Sequence, residues 1–336
     1  MQSAAQQISI KKFGPPDVLA LEPAAVREAG ADELKIKVKY SGINFADLQM
    51  RLGFYPDAPP KPFVPGYEVA GHVEQVGPGV AGFRVGDPVI AGTYFGGYAS
   101  QVTLPARQVF RLPESLTLEQ GAALPVAFFT AQLALLEMGR VRKGDRVLIE
   151  CATGGVGTLA VQMARHVGAD VVGLTSTASK KGYIEGLGAR ALTQSEFEAD
   201  ASVRDFDFIL NASGGRAVRA QLDRLGMTGR MVCMGLNSGV KDGKRNFFRL
   251  GYAALTTPRF GVFELMNKNA GVFGLNALHV LRDPKWSEKL TQSLDHAAGM
   301  QLDPHVSKVF AADHAAEAHE FIATRKALGK VLLAWS

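Results

Sequence analysis

The segment Leu148-Ile149-Glu150-Cys151-Ala152-Thr153-Gly154-Gly155-Val156-Gly157 has the residue types and spacing of a phosphate-binding turn. A short apolar run leads into clustered glycines, and a helical pattern over 158–167 follows. The spacing fits G-x-G-x-x-G with Ala152 in place of the first glycine. Gly154 would let the backbone approach a pyrophosphate, and Gly157 would let the helix pack close to the strand. Gly155 and Val156 lie in the same turn, and the N-terminus of the helix that follows would offer free N–H groups and partial positive charge to phosphates. The next strand pattern, 170–174, ends without the Asp or Glu that would hold the ribose hydroxyls of NAD. Ser176, Thr177, Lys180 and Lys181 stand there instead. Hydroxyls and ammonium groups suit a 2′-phosphate, which a carboxylate would repel. The preferred cofactor is therefore NADPH. The alternative leaves both lysines as solvated first-turn residues.

The elements that must position this turn follow from periodicity. Apolar runs at 146–150, 170–174, 206–210, 230–235 and 272–275 alternate with helical patterns at 158–167, 180–187 and 217–225. Such alternation predicts an α/β fold with a doubly wound parallel sheet covered on both faces. The loop 211–215 would then lie at the carboxyl end of the sheet, where ligands bind. Asn211 and Ser213 are candidates there for the adenine-side ribose, or parts of a tight turn.

Before residue 121 the pattern is different. Leu34-Lys35-Ile36-Lys37-Val38-Lys39-Tyr40 alternates with period two, as a half-buried strand does. A second strand pattern covers 69–76, and Gly77-Pro78-Gly79 and Val85-Gly86-Asp87-Pro88 punctuate it as turns. The uncharged stretch 121–136 is shorter than a membrane span and reads as a buried helix starting near Pro125. Strands at 305–310 and 330–334, with a helix over 313–325, resume the β-rich style and are expected to return to the first domain. The division expected is 1–121, 122–278 and 279–336.

Composition narrows the function. A chain of 336 residues suits two domains. Its two cysteines, Cys151 and Cys233, cannot build a disulfide framework or a four-cysteine zinc lobe. That count fits a reducing cytosol, so a cytoplasmic location is expected. The N-terminus lacks the apolar core of a signal peptide. A net charge of +5 without a basic run or zinc-finger spacing argues against nucleic acid. His314 and His319 point about 140° apart around a helix, so they are expected as surface histidines and not as a metal pair.

The β-rich region, the nucleotide segment and the tail together resemble the medium-chain dehydrogenase/reductase superfamily over essentially the whole chain. That resemblance implies a GroES-like β-rich catalytic domain and a Rossmann domain. Gly42-Ile43-Asn44-Phe45-Ala46-Asp47 and Gly154-Gly155-Val156-Gly157 are similar to the zinc-free quinone oxidoreductase branch. Within that branch, Gly243-Lys244-Arg245-Asn246 and Gly329-Lys330-Val331-Leu332-Leu333 resemble the vesicle amine transport protein homologues. The nucleotide loop also resembles polyketide enoyl reductases.

The resemblance carries site residues with it. Zinc-dependent relatives place metal ligands at positions matching Asn44, Tyr67 and Val126, where this chain has poorer ligands, so no metal is expected. The implied reaction is NADPH-dependent hydride transfer to a quinone or an α,β-unsaturated carbonyl. Asn44, Tyr55 and Tyr67 belong to the substrate side. Either tyrosine is a candidate proton donor, with solvent as the alternative. Thr130, Leu236, Asn237, Gly274, Leu275 and Asn276 belong to the nicotinamide side, and Lys330 is expected among the cofactor contacts. The competing reading is an NADPH-binding sensor or interaction protein without catalysis. A homodimer is expected. The aromatic and basic stretch 237–271 reads as a helical excursion packed on the domain or on a second subunit, or as a hydrophobic lid.

Overall fold

Leu34, Ile36 and Val38 fall on one buried face of an extended strand, as their period-two spacing requires. The computed structural model describes residues 4–237, 240 and 243–336. The chain divides into two units. One comprises Met1–Val126, Asp242–Arg245 and Pro304–Ser336, and the other Ala127–Lys241 and Asn246–Asp303.

The first unit opens with a hairpin of β1 (Gln6–Ile10) and β2 (Leu19–Pro23). The long strand β3 (Glu33–Ile43) pairs antiparallel with β4 (Glu68–Val76), and β4 with β5 (Pro88–Gly92). Two shorter strands, β6 (Gln101–Pro105) on β3 and β7 (Val109–Arg111) on β5, complete this part. From the end of β3 the chain enters helix α1 (Phe45–Leu52), which stops at Gly53 in a left-handed conformation, φ 74°. Ile36, Val38, Leu48, Val69 and Tyr98 share the core with Val331 and Leu333 of the tail. Next come α2 (Leu118–Ala122), capped by the Thr117 hydroxyl, and α3 (Pro125–Gln132).

In the second unit, α3 continues into a π-helical stretch over Leu133–Met138, and its residues are largely buried. Then strands and helices alternate: β8 (Arg146–Ile149), α4 (Gly155–Val167), β9 (Asp170–Thr175), α5 (Lys181–Gly186), β10 (Arg190–Thr193), α6 (Gln194–Ala199), β11 (Phe206–Asn211), α7 (Arg216–Leu222) and β12 (Leu225–Cys233). Helices α8 (Phe247–Thr256) and α9 (Val262–Lys268) precede β13 (Gly271–Gly274), and α10 (Ala277–Arg282) and α11 (Pro284–Gly299) follow. The sheet order is β10-β9-β8-β11-β12-β13, parallel throughout. The chain winds outward from β8 to β10, then crosses back to β11. This makes β8 and β11 the switch point, where open parallel sheets bind their ligands.

The tail adds β14 (Val306–Ala311), α12 (Ala315–Ala323) and β15 (Lys330–Ala334). β15 lies parallel to β14 and antiparallel to β3, with Val331 opposite Ile43. The sheet of the first unit therefore runs β14-β15-β3-β4-β5-β7, with β6 also on β3. One expectation is corrected on α12. His319 is fully buried and not a surface residue, because the face it shares with Ala315 and Ala318 is the one packed inward. His314 is exposed and pairs with Glu317. Among the described residues no helix is long and apolar enough to cross a membrane.

Candidate functional site

The glycine turn between β8 and α4 is tightly closed. Cys151 takes a left-handed backbone, φ 53°, and its carbonyl accepts from Gly154 N at 2.9 Å. Ala152 N reaches across to Leu174 O on β9 at 3.0 Å. A Cβ on Gly157 would strike the Cys151 carbonyl oxygen and lie 2.8 Å from Ala152 Cα, so only glycine lets α4 seat there. Gly154 is different. A Cβ there would meet Cys151 O at an ordinary 3.4 Å, so internal packing does not demand glycine. Its bareness leaves room for a ligand at the helix N-terminus, in a cradle formed with Gly155 and Val156.

Beyond β9 the two lysines part company. Lys181 is paired with Glu196 at 3.1 Å. Lys180 is half-buried, and burial pulls its ammonium below the usual lysine range while nearby Cys151 opposes that shift. Ser176 and Thr177 are exposed beside it. A hydroxyl pair and one lysine thus flank the glycine turn, with no carboxylate at the end of β9.

Across the switch point, Glu150 is buried, and its Oε2 accepts from Ala212 N at 2.8 Å and Ser213 N at 2.9 Å. That carboxylate shapes the loop after β11. Asn211 was a candidate for the adenine-side ribose. It is fully buried, its Nδ2 donates to Gln221 Oε1 at 2.8 Å, and its Oδ1 accepts from Gly214 N at 3.0 Å. Its amide builds the loop. Leu236 and Asn237 follow β12, and Asn237 N donates to Ala212 O at 3.2 Å. After β13 come exposed Gly274, buried Leu275 and exposed Asn276, whose Oδ1 caps α10 by accepting from Leu278 N at 3.2 Å. Thr130 is buried on α3.

The first unit holds a separate polar constellation. Asn44 sits between β3 and α1, with Nδ2 donating to Glu68 Oε1 at 2.9 Å. Lys330, which opens β15, donates to Asn44 Oδ1 at 2.6 Å and pairs with Glu68 Oε1 at 2.5 Å. The other Glu68 oxygen accepts from Val126 N at 2.8 Å. Lys330 was expected among the cofactor contacts, and in the structure its buried ammonium is held by Asn44 and Glu68. Next to this cluster, Tyr67 is buried, with its ring edge-on to Tyr55 at 6.3 Å and its hydroxyl 4.0 Å from Met50 Sδ. Burial, with Asp47 and Tyr55 adding to it, pushes its phenol well above the usual tyrosine range. Tyr55 is half-buried.

A second buried group gathers around Asp47 of α1, and the sequence gave no sign that its members meet. Asp47 accepts from Asn44 N at 2.7 Å, Gly66 N at 3.1 Å and the Tyr98 hydroxyl at 3.2 Å. Tyr98 in turn lies 3.0 Å from His319 Nε2. Burial pushes the Asp47 carboxyl up to about 7 and drives His319 down to about 3. Arg51 is also buried, donating to Gly14 O at 2.6 Å and Gly243 O at 3.1 Å, and burial lowers it to about 10. Among the described residues, no group of three or more His, Cys, Asp or Glu is arranged to hold a metal.

Two family models match the chain: the alcohol dehydrogenase GroES-like domain over residues 30–114, and the zinc-binding dehydrogenase over residues 155–282. The synaptic vesicle membrane protein VAT-1 homolog of Homo sapiens is 30% identical over 96% of this chain and 84% of its own length. The quinone oxidoreductase of Sus scrofa is 31% identical over 99% of this chain and 98% of its own. The chain belongs to the medium-chain dehydrogenase/reductase superfamily. Within that superfamily it falls in the quinone oxidoreductase branch, near the VAT-1 homologues. The quinone oxidoreductase of Escherichia coli, solved in complex with NADPH, superposes with a TM-score of 0.83 at 25% identity, covering 98% of this chain and 100% of that one. Like other members of the superfamily, this chain joins a GroES-like unit to a parallel Rossmann sheet.

Proposed function

We propose that the protein is a zinc-independent, NADPH-dependent oxidoreductase that delivers hydride to a quinone or an α,β-unsaturated carbonyl. The observation that carries this reading is the interlocked set Asn44–Glu68–Lys330. At the positions where zinc relatives keep their ligands stand an amide, a phenol and Val126, whose backbone N–H is held by Glu68. Lys330 already supplies the positive charge among these groups, and its ammonium is matched by the Glu68 carboxylate.

The cofactor follows from the second unit. Gly154 leaves space at a helix N-terminus for a pyrophosphate, and Lys180 with Ser176 and Thr177 suits a 2′-phosphate. The E. coli relative's complex with NADPH supports the same choice. When bound, NADPH supplies the hydride. The protein must position the substrate and stabilise the oxygen on which negative charge develops. Asn44 is half-buried and carries the amide donor suited to that oxygen. Conjugation already makes the accepting carbon electrophilic, which lessens the polarisation that the site must supply. Tyr67 keeps its proton too firmly to be a ready acid, which leaves Tyr55 or solvent as the proton source.

The test is NADPH consumption against a panel of quinones and enones, with NADH in parallel. Turnover with NADPH preferred supports the reading. Cofactor binding without turnover on any member of the panel would replace it with a sensor role.

Two further points belong to the same proposal. The chain pairs with a second copy through the edge of the Rossmann sheet. In its support, β13 is the terminal strand, and Val262, Phe263, Met266 and Phe273 are exposed beside it. Sedimentation of the wild type and of Met266→Lys/Phe273→Asp tests this, and a monomeric wild type sinks it. A cytoplasmic location is supported by two free cysteines, Cys151 and Cys233.

A further inference from the structure

The Asn44 carboxamide is gripped at both ends by a buried ion pair. Lys330 Nζ lies 2.6 Å from Oδ1, Glu68 Oε1 lies 2.9 Å from Nδ2, and the two charges meet at 2.5 Å. A lysine ammonium can only donate, and an ionised carboxylate can only accept. Flipping the amide would set donor against donor and acceptor against acceptor, so one orientation is enforced. The surroundings do not yield either. Glu68 and Lys330 side chains are 0% and 5% exposed, Glu68 Oε2 is held by Val126 N at 2.8 Å, and Asn44 N is held by Asp47 Oδ2 at 2.7 Å.

An asparagine Nδ2 carries two hydrogens, and the hydrogen bond to Glu68 uses one. Lys330 draws electron density toward Oδ1, which makes the remaining N–H a better donor in these low-dielectric surroundings. We infer that the Lys330–Glu68 pair is a positioning device that holds the second N–H of Asn44 as a fixed, polarised donor for the carbonyl oxygen of the substrate. The inference rests on the proposed role of Asn44 as a substrate contact. It also constrains the substrate, because a donor that cannot turn over to become an acceptor requires an acceptor oxygen, such as that of a carbonyl, at this point. It reassigns Lys330 from the cofactor to the substrate side.

The experiment compares Lys330→Met, Asn44→Ala and the double variant by kcat on a quinone and by fluorescence titration with NADPH. Loss of a fixed oxyanion donor lowers kcat by about a hundredfold to a thousandfold, so Lys330→Met and Asn44→Ala should each fall in that range. NADPH affinity should change by less than about threefold, and Lys330→Met in the Asn44→Ala background should cost less than about twofold more, as expected for groups acting as a unit. Lys330→Met leaves Glu68 buried without its cation, so Glu68→Gln/Lys330→Met is made beside it to remove both charges. The paired variant should fold with a Tm near that of the wild type and show the same lowered kcat. Weakened NADPH binding with kcat retained would overturn the inference in favour of a cofactor lysine. So would an equal loss from Lys330→Met with and without Asn44. If Asn44→Ala itself turns over at the wild-type rate, the substrate role of Asn44 fails and the inference with it, while quinone turnover by the wild type leaves the oxidoreductase reading standing.

Discussion

Gly157 lies so close to the Cys151 carbonyl oxygen that no side chain fits between them. The first turn of α4 rests on that contact, whereas Gly154, three residues earlier, has an ordinary 3.4 Å of space for a Cβ. The two glycines therefore do different work. Gly157→Ala should destabilise the protein by roughly 2 kcal/mol, the usual cost of overpacking. Gly154→Ala should melt like the wild type and bind NADPH more weakly. Thermal melts and cofactor titration of the two variants check this, and equal stability losses would disprove the division.

Lys180 and Lys181 are neighbours with opposite expectations. Lys181 is paired with Glu196, while Lys180 sits by the glycine turn. Lys180→Ala should raise KM for NADPH by about tenfold, the worth of one charge-assisted hydrogen bond, and leave NADH almost unaffected. Lys181→Ala should move neither KM appreciably. Steady-state kinetics with both cofactors decides the matter, and a Lys180→Ala enzyme with wild-type NADPH kinetics would remove the 2′-phosphate role.

Asp47 and His319 act on stability in opposite senses. Asp47 is raised from an ordinary 3.8 to about 7, so the folded state keeps a proton that the unfolded chain has lost. Its contribution falls as pH rises from about 4 to about 7 and is level above that. His319 is lowered from 6.5 to about 3, so only the unfolded chain takes up its proton in that window. Its contribution rises with pH from about 3 to 6.5. Where the windows overlap, two slopes of about 1.4 kcal/mol per pH unit cancel. Urea melts of His319→Gln should show stability falling as pH rises from 4 to 6.5, and those of Asp47→Asn should show it rising. Variants that track the wild type across this range would exclude these two groups as its source.

Chelation should leave the enzyme intact. On the proposed reading Asn44, Tyr67 and Val126 stand where zinc relatives keep their ligands, and the charge beside them is balanced between Lys330 and Glu68. Protein treated with EDTA and passed over a desalting column should retain its full rate of NADPH oxidation. A loss restored by added zinc would contradict the proposed chemistry.

The parts visible in the sequence were those with local signatures. The strand, glycine turn and helix from Arg146 to Val167 occupy consecutive residues, so their spacing alone described them, although α4 begins at Gly155 and not at 158. The unit of β10 and α6 left little trace, because a strand of 4 residues and a helix of 6 are too short to display a period. The packing of Asn211 was hidden for a different reason. An asparagine that builds a loop and one that binds a ligand look identical until Gln221 and Gly214 are seen to occupy its amide. The grip on Asn44 was hidden most completely, since its partners come from β4 and β15, and Lys330 is 286 positions away. His319 shows the same limit: helical periodicity located its element, but its burial depends on Tyr98, 221 residues earlier.

The pairing of β15 with β3 also orders events during synthesis. Val331 can meet Ile43 only after every strand of the Rossmann sheet, all lying between Arg146 and Gly274, has been made. The nucleotide-binding unit can therefore mature on the emerging polypeptide while the first-made strands of its companion wait for their last neighbour. Contacts of such long sequence separation are slow to form, and an unpaired strand edge such as that of waiting β3 is open to wrong partners in the meantime.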